Sequence, residues 1–255
     1  MMAARAQAWK GIAALAAALL TAPFAGAPAA AAERPSVVEL YTSQGCSSCP
    51  PADALLAVLA QERPDIIVLS FPVDIWDYIG WKDTLAKPEF TARQKHYAQN
   101  RGDHQVYTPQ VVVDGAVHGV GSDKQQVLSL IDKTAQARNV TGAPMKVSEA
   151  DGMVIVDLGA GSGDLGHGAG VWLLRVAHRK SVAIGRGENS GRQITYTNVV
   201  RSMVRMGQWM GGASRFEIPL PEARTDDADG YVVIVQKSWG DVLGPILAAG
   251  KSDGL

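Results

Sequence analysis

The chain of 255 residues contains only two cysteines, and they lie three positions apart in the run Gly45-Cys46-Ser47-Ser48-Cys49-Pro50-Pro51. The β-branched and aromatic run at 37–41 predicts a strand before the pair, and apolar residues at helical spacing predict a helix over 52–62. A C-x-x-C pair between strand and helix is typical of a redox dithiol, because the N–H groups of a helix N-terminus favour a thiolate. The pair therefore predicts a strand–loop–helix unit with Cys46 as nucleophile and Cys49 as resolving thiol.

Two other interpretations of the cysteine pair stay open, namely an inert local disulfide and part of a metal site. A ring that encloses two residues gains little stability from loop closure, which disfavours a purely structural disulfide. Structural zinc sites usually have four protein ligands, and the chain has no second C-x-x-C motif. The histidines show no paired ligand spacing, at His96, His104, His118, His167 and His178. We therefore favour redox chemistry without a cofactor other than the disulfide itself, with the hydroxyls of Ser47 and Ser48 supporting a thiolate.

The first 32 residues have the composition of a secretory signal peptide. Arg5 and Lys10 are positive, 11–24 is an apolar run, and 30–32 supplies three alanines, so we predict cleavage after Ala32. The alternative is a retained membrane anchor. No later apolar stretch is long enough to span a bilayer, and the net charge of −1 argues against nucleic-acid binding. We expect an exported, periplasmic or secreted bacterial protein, in a compartment that permits disulfides.

The element pattern divides the mature chain into an α/β part at 33–140 and a β-rich part at 141–255. The first part continues with an apolar strand at 66–73, a helix at 88–100, a hairpin around Asp114-Gly115 and a helix at 123–138. Beyond it, short strands alternate with glycine- and aspartate-rich turns. They are predicted at 146–148, 153–158, 170–178, 193–200, 215–219 and 231–236. These strands predict a small antiparallel sandwich or sheet packed on the first part.

The dipeptide Thr108-Pro109 provides a second signal at the start of a predicted strand. Cis peptide bonds in folded proteins are nearly confined to the bond before proline, and a cis proline facing the cysteines would leave the Thr108 backbone free to pair with an extended peptide. The alternative is an ordinary trans proline at the first position of a strand. Together with the cysteine pair, the dipeptide favours the cis form.

With these features the chain resembles the thioredoxin-like fold, whose marks are a C-x-x-C pair after the first strand and a cis proline before a hairpin. It more closely resembles the secreted bacterial proteins grouped as domain of unknown function 1223. That resemblance rests on 39–53, 76–83, 107–110 and 187–192, and it spans nearly the whole mature chain. It implies a thioredoxin-like domain at 33–140 with an appended β-rich C-terminal region, and it implies no established substrate.

The prolines after Cys49 depart from thioredoxins proper. Proline disfavours the α region for the preceding residue, so we expect Cys49 outside the helix and a helix start at Pro50 or Pro51. Asp53 follows Cys49 by four residues and has two candidate roles. It either exchanges protons with the resolving thiol or complements the helix dipole in the first turn.

Two loops are candidates for contact with a partner. The aromatic loop at 74–83 contains Trp76, Tyr78 and Trp81, which either line a peptide-binding groove or form a lid over the core. The polar loop at 186–192 has two arginines that would suit a carboxylate, but a solvated loop or an ion pair to the first part is the favoured interpretation.

The leading function is thiol–disulfide exchange with thiols or disulfides of other exported proteins. A Cu(I)-binding module through Cys46 and Cys49 is an alternative, because Met203, Met206 and Met210 recur near Trp209 at helical spacing and thioethers suit Cu(I). Core packing by the methionines is the simpler interpretation. A third alternative is a redox-inactive adaptor that uses the same fold for binding.

Overall fold

The computed structural model describes residues 34–140, 142–161, 167–239 and 242–255. The predicted signal peptide at 1–32 lies outside the described residues. Within them, no helix is both long and apolar enough to cross a membrane.

The first half of the chain has the predicted order of elements. It runs β1 (Ser36–Thr42), α1 (Pro50–Glu62), β2 (Ile66–Pro72), α2 (Pro88–Arg101), β3 (Gln110–Val113), β4 (Val117–Val120) and α3 (Lys124–Val140). Strand β1 pairs with β2 in parallel and with β3 antiparallel, and β3 and β4 form a hairpin. The cysteine loop therefore follows the carboxyl end of β1, beside the carboxyl end of β2. Ligands of open α/β sheets bind at such an edge.

The second half is built mainly from strands. They are β5 (Met145–Ala150), β6 (Met153–Leu158), β7 (Ala169–Ala183), β8 (Gln193–Trp209), β9 (Ser214–Pro219), β10 (Gly230–Trp239) and β11 (Val242–Lys251), with one short helix, α4 (Leu220–Ala223). Strands β5, β6 and β9 form a separate three-stranded sheet. The other four join the strands of the first half in one eight-stranded sheet of order β11-β10-β7-β8-β2-β1-β3-β4. The fold is a mixed α/β fold whose large sheet crosses the position at which the sequence pattern divides the chain.

The two halves of the large sheet meet where β8 runs beside β2. The backbone ladder there is short, with Ser70 opposite Val199 in parallel register. Side chains supplement it, because the Ser70 hydroxyl donates to the carbonyl of Thr197 at 2.7 Å and the Asn198 amide donates to the carbonyl of Val68 at 3.0 Å. Asn198 has a φ of 49°, a left-handed conformation that asparagine tolerates better than most residues. The junction between the two halves of the sheet therefore combines one backbone pair with two side-chain hydrogen bonds.

Strand β1 is buried on both faces, and its alternate residues belong to two cores. Val37 and Tyr41 pack with residues of α2, β10 and β11, whereas Val38 and Leu40 pack with residues of α1 and α3. A fully buried side chain of this size contributes roughly 1.5–3 kcal/mol to folding. The strand that leads into the cysteine loop is therefore anchored from both sides of the sheet.

The helical spacing assigned to the methionines was wrong. Met203 and Met206 lie in strand β8, and Met210 follows its last residue. Met203 packs against the core that contains β1, and Met206 packs against a different core beside the small sheet. A strand alternates its side chains between faces and not around a helix, so an interval of three residues places these two methionines on opposite sides.

Candidate functional site

Cys46 and Cys49 form a disulfide, with their Cα atoms 5.4 Å apart. Two successive turns shape the loop, because the Cys46 N–H donates to the carbonyl of Ser43 and the Cys49 N–H donates to the carbonyl of Cys46. Cys46 retains 5% of its surface exposure, whereas Cys49 has 0%. Cys46 is therefore the cysteine that a partner can reach.

Helix α1 begins at Pro50, as predicted, but Cys49 lies in the α region at φ −78° and ψ −36°, so the expectation that Pro50 displaces it was wrong. The physical reason is that the Cys49 carbonyl accepts the first two helical hydrogen bonds, from the N–H groups of Ala52 and Asp53. Pro50 and Pro51 have no N–H. The first turn of α1 therefore presents none of its usual free donors to the cysteines.

A cavity of about 340 Å³ opens onto Cys46. The cysteine loop forms one wall and the aromatic loop another, and Thr108 and Glu188 complete the lining. Trp76 donates its indole N–H to the Thr108 hydroxyl at 2.7 Å, which joins two of these walls. Its close approach favours glycine at position 45, since a Cβ there would lie 3.0 Å from the Cβ of Trp76. Tyr78 is 77% exposed at this site, so its side chain is accessible to a partner.

The Thr108–Pro109 peptide bond is cis, as the sequence predicts. The Pro109 carbonyl accepts a hydrogen bond from the Gly121 N–H. Among the described residues, neither the N–H nor the carbonyl of Thr108 has a backbone partner. Thr108 thus presents an unpaired stretch of backbone next to Cys46.

Trp81 does not line this cavity, and it contacts the cysteine loop through Gln44 instead. Its indole N–H donates to the side-chain carbonyl of Gln44 at 2.8 Å, and the Gln44 backbone N–H donates to Asp83 at 2.8 Å. Burial raises the pKa of Asp83, partly offset by the backbone N–H groups that it accepts. Trp76 and Tyr78 are therefore placed at the predicted groove, and Trp81 is not.

A residue from the second half of the chain also holds the cysteine loop. Asn189 lies in the loop between β7 and β8, and it is fully buried, with 0% exposure. Its amide nitrogen donates to the carbonyl of Gln44 at 3.0 Å and to the carbonyl of Cys46 at 2.9 Å. The Arg192 guanidinium donates to the amide oxygen of Asn189 at 3.2 Å. The polar loop at 186–192 was predicted, but no pattern in the sequence singles out Asn189, because its contact with Cys46 spans 143 residues.

Asp53 is a buried acid on α1, one helical turn beyond Cys49. It is 3% exposed, and neither carboxyl oxygen makes a hydrogen bond within ordinary distance in the described part of the chain. Burial raises the pKa of Asp53 to about 7, the Thr42 hydroxyl opposes the rise, and the negative charge of Asp83 adds to it. The side chain borders a second cavity, of about 410 Å³, between α1 and the start of β8. Asp53 therefore changes its protonation state near neutral pH.

Comparison with known proteins identifies the family. Residues 37–236 match the family described as protein of unknown function (DUF1223). The chain belongs to the DUF1223 family. This confirms the resemblance inferred from the cysteine, aromatic and Thr-Pro segments.

Two solved structures are similar to this DUF1223 protein. Protein AGR_C_4864 from Agrobacterium tumefaciens is 31% identical, with a TM-score of 0.75, over 86% of this chain and 94% of that one. HBP35 of Porphyromonas gingivalis is 14% identical, with a TM-score of 0.52, over 86% of this chain and 75% of that one, and this likeness concerns the fold alone. No protein of curated function matches the chain.

In the part of the chain that the structure describes, His, Cys, Asp and Glu side chains form no group of three or more that could hold a metal ion. At the site of this DUF1223 protein, the structure places the Ser48 hydroxyl beside the cysteine pair and the Asp53 carboxyl one helical turn beyond Cys49. The Ser48 hydroxyl lies 3.4 Å from the sulfur of Cys46.

Proposed function

We propose that this protein is a thiol–disulfide oxidoreductase that acts on other exported proteins through Cys46 and Cys49. The observation that carries the proposal is the asymmetry of the pair. Cys46 opens into the cavity, whereas Cys49 is fully buried behind it. A partner can therefore attack or be attacked at Cys46, and Cys49 is left to resolve the product within the protein.

The reaction balances without a further redox group. In the reducing direction, the Cys46 thiolate attacks a partner disulfide, forms a mixed disulfide and releases one partner thiolate. The Cys49 thiolate then attacks the sulfur of Cys46, which re-forms the Cys46–Cys49 disulfide and releases the second partner thiolate. Two electrons pass to the partner, and the oxidising direction is the reverse of these steps.

The surroundings of the pair support a peptide as the partner. Thr108 offers unpaired backbone beside Cys46, as required for pairing with an extended segment. Trp76 and Tyr78 offer apolar contact area with polar tips. We propose that Thr108 and Pro109 form the platform for the partner backbone and that the two aromatic residues contact its side chains.

Ser48 and Asp53 have separate supporting roles in this proposal. The Ser48 hydroxyl donates to the Cys46 thiolate, in place of the helix N–H groups that Pro50 and Pro51 remove. Asp53 lies one turn after Cys49 on α1 and takes the proton of the Cys49 thiol in the reducing direction. A pKa of about 7 suits an acid–base group that works near neutral pH.

The first half also fits a thioredoxin-like domain, which we propose as its fold family. The supporting features are the C-x-x-C pair directly after β1 and Pro109 directly before the β3–β4 hairpin. In this view residues 33–140 carry the redox chemistry, and the region from 141 onward completes the sheet and supports the site.

The experiment that tests the proposed function is the trapping of partners with Cys49→Ala. Without the resolving thiol, the mixed disulfide through Cys46 should accumulate in the compartment of the protein and disappear when the extract is reduced. A Cys46→Ala/Cys49→Ala variant is the matched control, because it keeps the surface and lacks the nucleophile. If Cys49→Ala forms no more adducts than the double variant, the exchange function is wrong.

A further inference from the structure

The cysteine loop is held by the two halves of the chain from different sides. The N–H of Gln44 is bound by Asp83, and its side chain by Trp81, both in the first half. The carbonyls of Gln44 and Cys46 are bound by Asn189, from the β7–β8 loop of the second half. The backbone just before the disulfide is therefore fixed at its donor and its acceptor groups.

Every polar atom of the Asn189 side chain is used in this arrangement. An amide has two donor hydrogens on nitrogen and an acceptor oxygen. The two hydrogens go to the carbonyls of Gln44 and Cys46, and the oxygen accepts from Arg192. A flipped Asn189 amide would place its oxygen against the two carbonyl oxygens. Arg192 and the cysteine loop therefore both favour the orientation in which the amide nitrogen donates to the backbone.

The shape of the β7–β8 loop presents Asn189 to the cysteines. Gly187 and Gly191 have φ values of 78°, which glycine adopts without steric cost, and they flank Asn189. A Cβ at Gly187 would lie 3.3 Å from the Cβ of Trp81, so the loop sits against the same aromatic residue that supports Gln44. The loop is thus built to bring one buried amide to the backbone of Cys46.

We propose that Asn189 is a positioning residue that stabilises the Cys46–Cys49 disulfide relative to the dithiol. The disulfide fixes the cysteine loop by itself. The two hydrogen bonds of Asn189 to the loop therefore restrict its conformation chiefly after the disulfide is reduced. A restricted dithiol keeps its sulfurs close together and loses less chain freedom when the bond re-forms. Removal of these hydrogen bonds lets the reduced loop adopt more conformations, which shifts the redox equilibrium toward the dithiol.

The inference rests on the proposed function for its biological meaning, while its test needs only the cysteine pair. In glutathione buffer the disulfide reacts with two glutathione thiols to give the Cys46–Cys49 dithiol and one glutathione disulfide. Acid quenching, alkylation and mass determination of the full chain then give the equilibrium constant of this reaction.

We expect Asn189→Ala to shift this equilibrium about tenfold toward the dithiol, because the reduced loop regains roughly the conformational freedom of one backbone residue. For a two-electron couple, this equals a reduction potential about 30 mV less negative. Arg192→Ala removes only the support of the Asn189 oxygen and leaves its two bonds to the loop, so it should return part of that freedom and shift the equilibrium about two- to threefold in the same direction. Ser190→Ala is the matched control, because its exposed hydroxyl binds the carbonyl of Gly185 within the same loop.

A purely structural role would lower the melting temperature of Asn189→Ala and leave the equilibrium constant equal to that of Ser190→Ala. That result, or a shift toward the disulfide, overturns the inference. If Asn189→Ala does not fold, equality between Arg192→Ala and Ser190→Ala overturns it instead. If Cys49→Ala traps no partner but Asn189→Ala shows the expected shift of the glutathione equilibrium, only the exchange function is refuted. The two failures are therefore distinguishable.

Discussion

At the scale of single residues, Asp53 couples the site to pH. Its pKa is about 7 in the folded protein because burial disfavours the charged carboxylate, whereas an unfolded chain would give its ordinary value near 4. Between these values the folded state holds more protons than the unfolded state, so the free energy of unfolding contributed by Asp53 falls as pH rises from about 4 to 7. Asp83 and the buried hydroxyl of Tyr196 face the same region, and the charge of Asp83 adds to the rise.

We expect Asp53→Asn to remove this pH dependence. The amide keeps the size of the protonated acid and carries no charge, so the variant should gain stability over the wild type as pH rises. The gain at pH 8 relative to pH 5 should be about 2–3 kcal/mol, taken from the pKa difference across that interval. Urea unfolding at both values measures it.

Asp151→Asn provides the comparison for this experiment. Asp151 is exposed in the turn between β5 and β6 and has a φ of 51°, which asparagine adopts readily. The Asp151→Asn substitution should leave the pH dependence of the unfolding free energy unchanged. An equal response of the two variants would show that Asp53 is not the group responsible.

Some residues of the site can be recognised from the sequence, and others cannot. Cys46 and Cys49 are visible because their spacing is local, and Thr108-Pro109 is visible because only proline makes a cis bond common. Asn189 is not visible, since an asparagine in a polar loop has many ordinary uses and its partners lie far away along the chain. Its role emerges only when β7 and β8 bring the loop to the cysteines.

At the scale of elements, the N-terminus of α1 determines how the helix acts on Cys46. A helix N-terminus stabilises an anion through its free N–H groups and its dipole. In α1 the first two residues are prolines, and the next two N–H groups bind the Cys49 carbonyl. The prolines therefore weaken the stabilisation of a thiolate that the position would otherwise provide.

We expect Pro50→Ala to restore one free N–H and lower the pKa of the Cys46 thiol. The ionisation constant should increase roughly two- to fivefold, as expected for one helix-terminus interaction. The measurement is thiolate absorbance against pH in a Cys49→Ala background, where a single thiol titrates. Pro64→Ala, in the exposed segment after α1, restores an N–H far from the helix start and should leave the titration unchanged. Identical titrations for both variants would contradict this account of the helix start.

Elements with a clear hydrophobic period were predicted well, and those without one were not. Helices α1, α2 and α3 and strands β1 and β2 follow from the spacing of their apolar residues. Strand β8 extends to Trp209, well beyond the predicted end near 200, because polar and charged residues such as Arg201 and Arg205 break the apolar alternation. Strand β11 was not predicted, since Gly244 and Pro245 interrupt its apolar run.

At the scale of the whole molecule, a buried charge network joins the two halves. Arg93 of α2 donates to Glu39 of β1 at 2.7 Å and to Gln236 of β10 at 2.9 Å, and Gln236 in turn donates to Tyr97. Burial disfavours the charged guanidinium, but the Glu39 carboxylate outweighs it and holds the pKa of Arg93 above its usual range. With the shared sheet, this network ties the strand that leads to the cysteines to the last strands of the chain.

We therefore expect the described fold to unfold as one unit. Circular dichroism and tryptophan fluorescence should give coincident urea transitions, although Trp76 and Trp81 lie in the first half and Trp172 and Trp209 in the second. Two separate transitions would mean that the halves fold independently and that the cysteine loop does not depend on the second half.

Arg93→Met tests the network within that unit. It should cost about 3–5 kcal/mol, because it leaves Glu39 charged and buried without its partner. Adding Glu39→Gln should recover about 2 kcal/mol, since the unpaired charge and not the missing packing dominates the loss. Arg215→Met breaks the exposed pair with Asp157 and should change stability little. A loss of equal size for Arg93→Met and Arg215→Met, or no recovery in the double variant, would show that packing and not buried charge connects the halves.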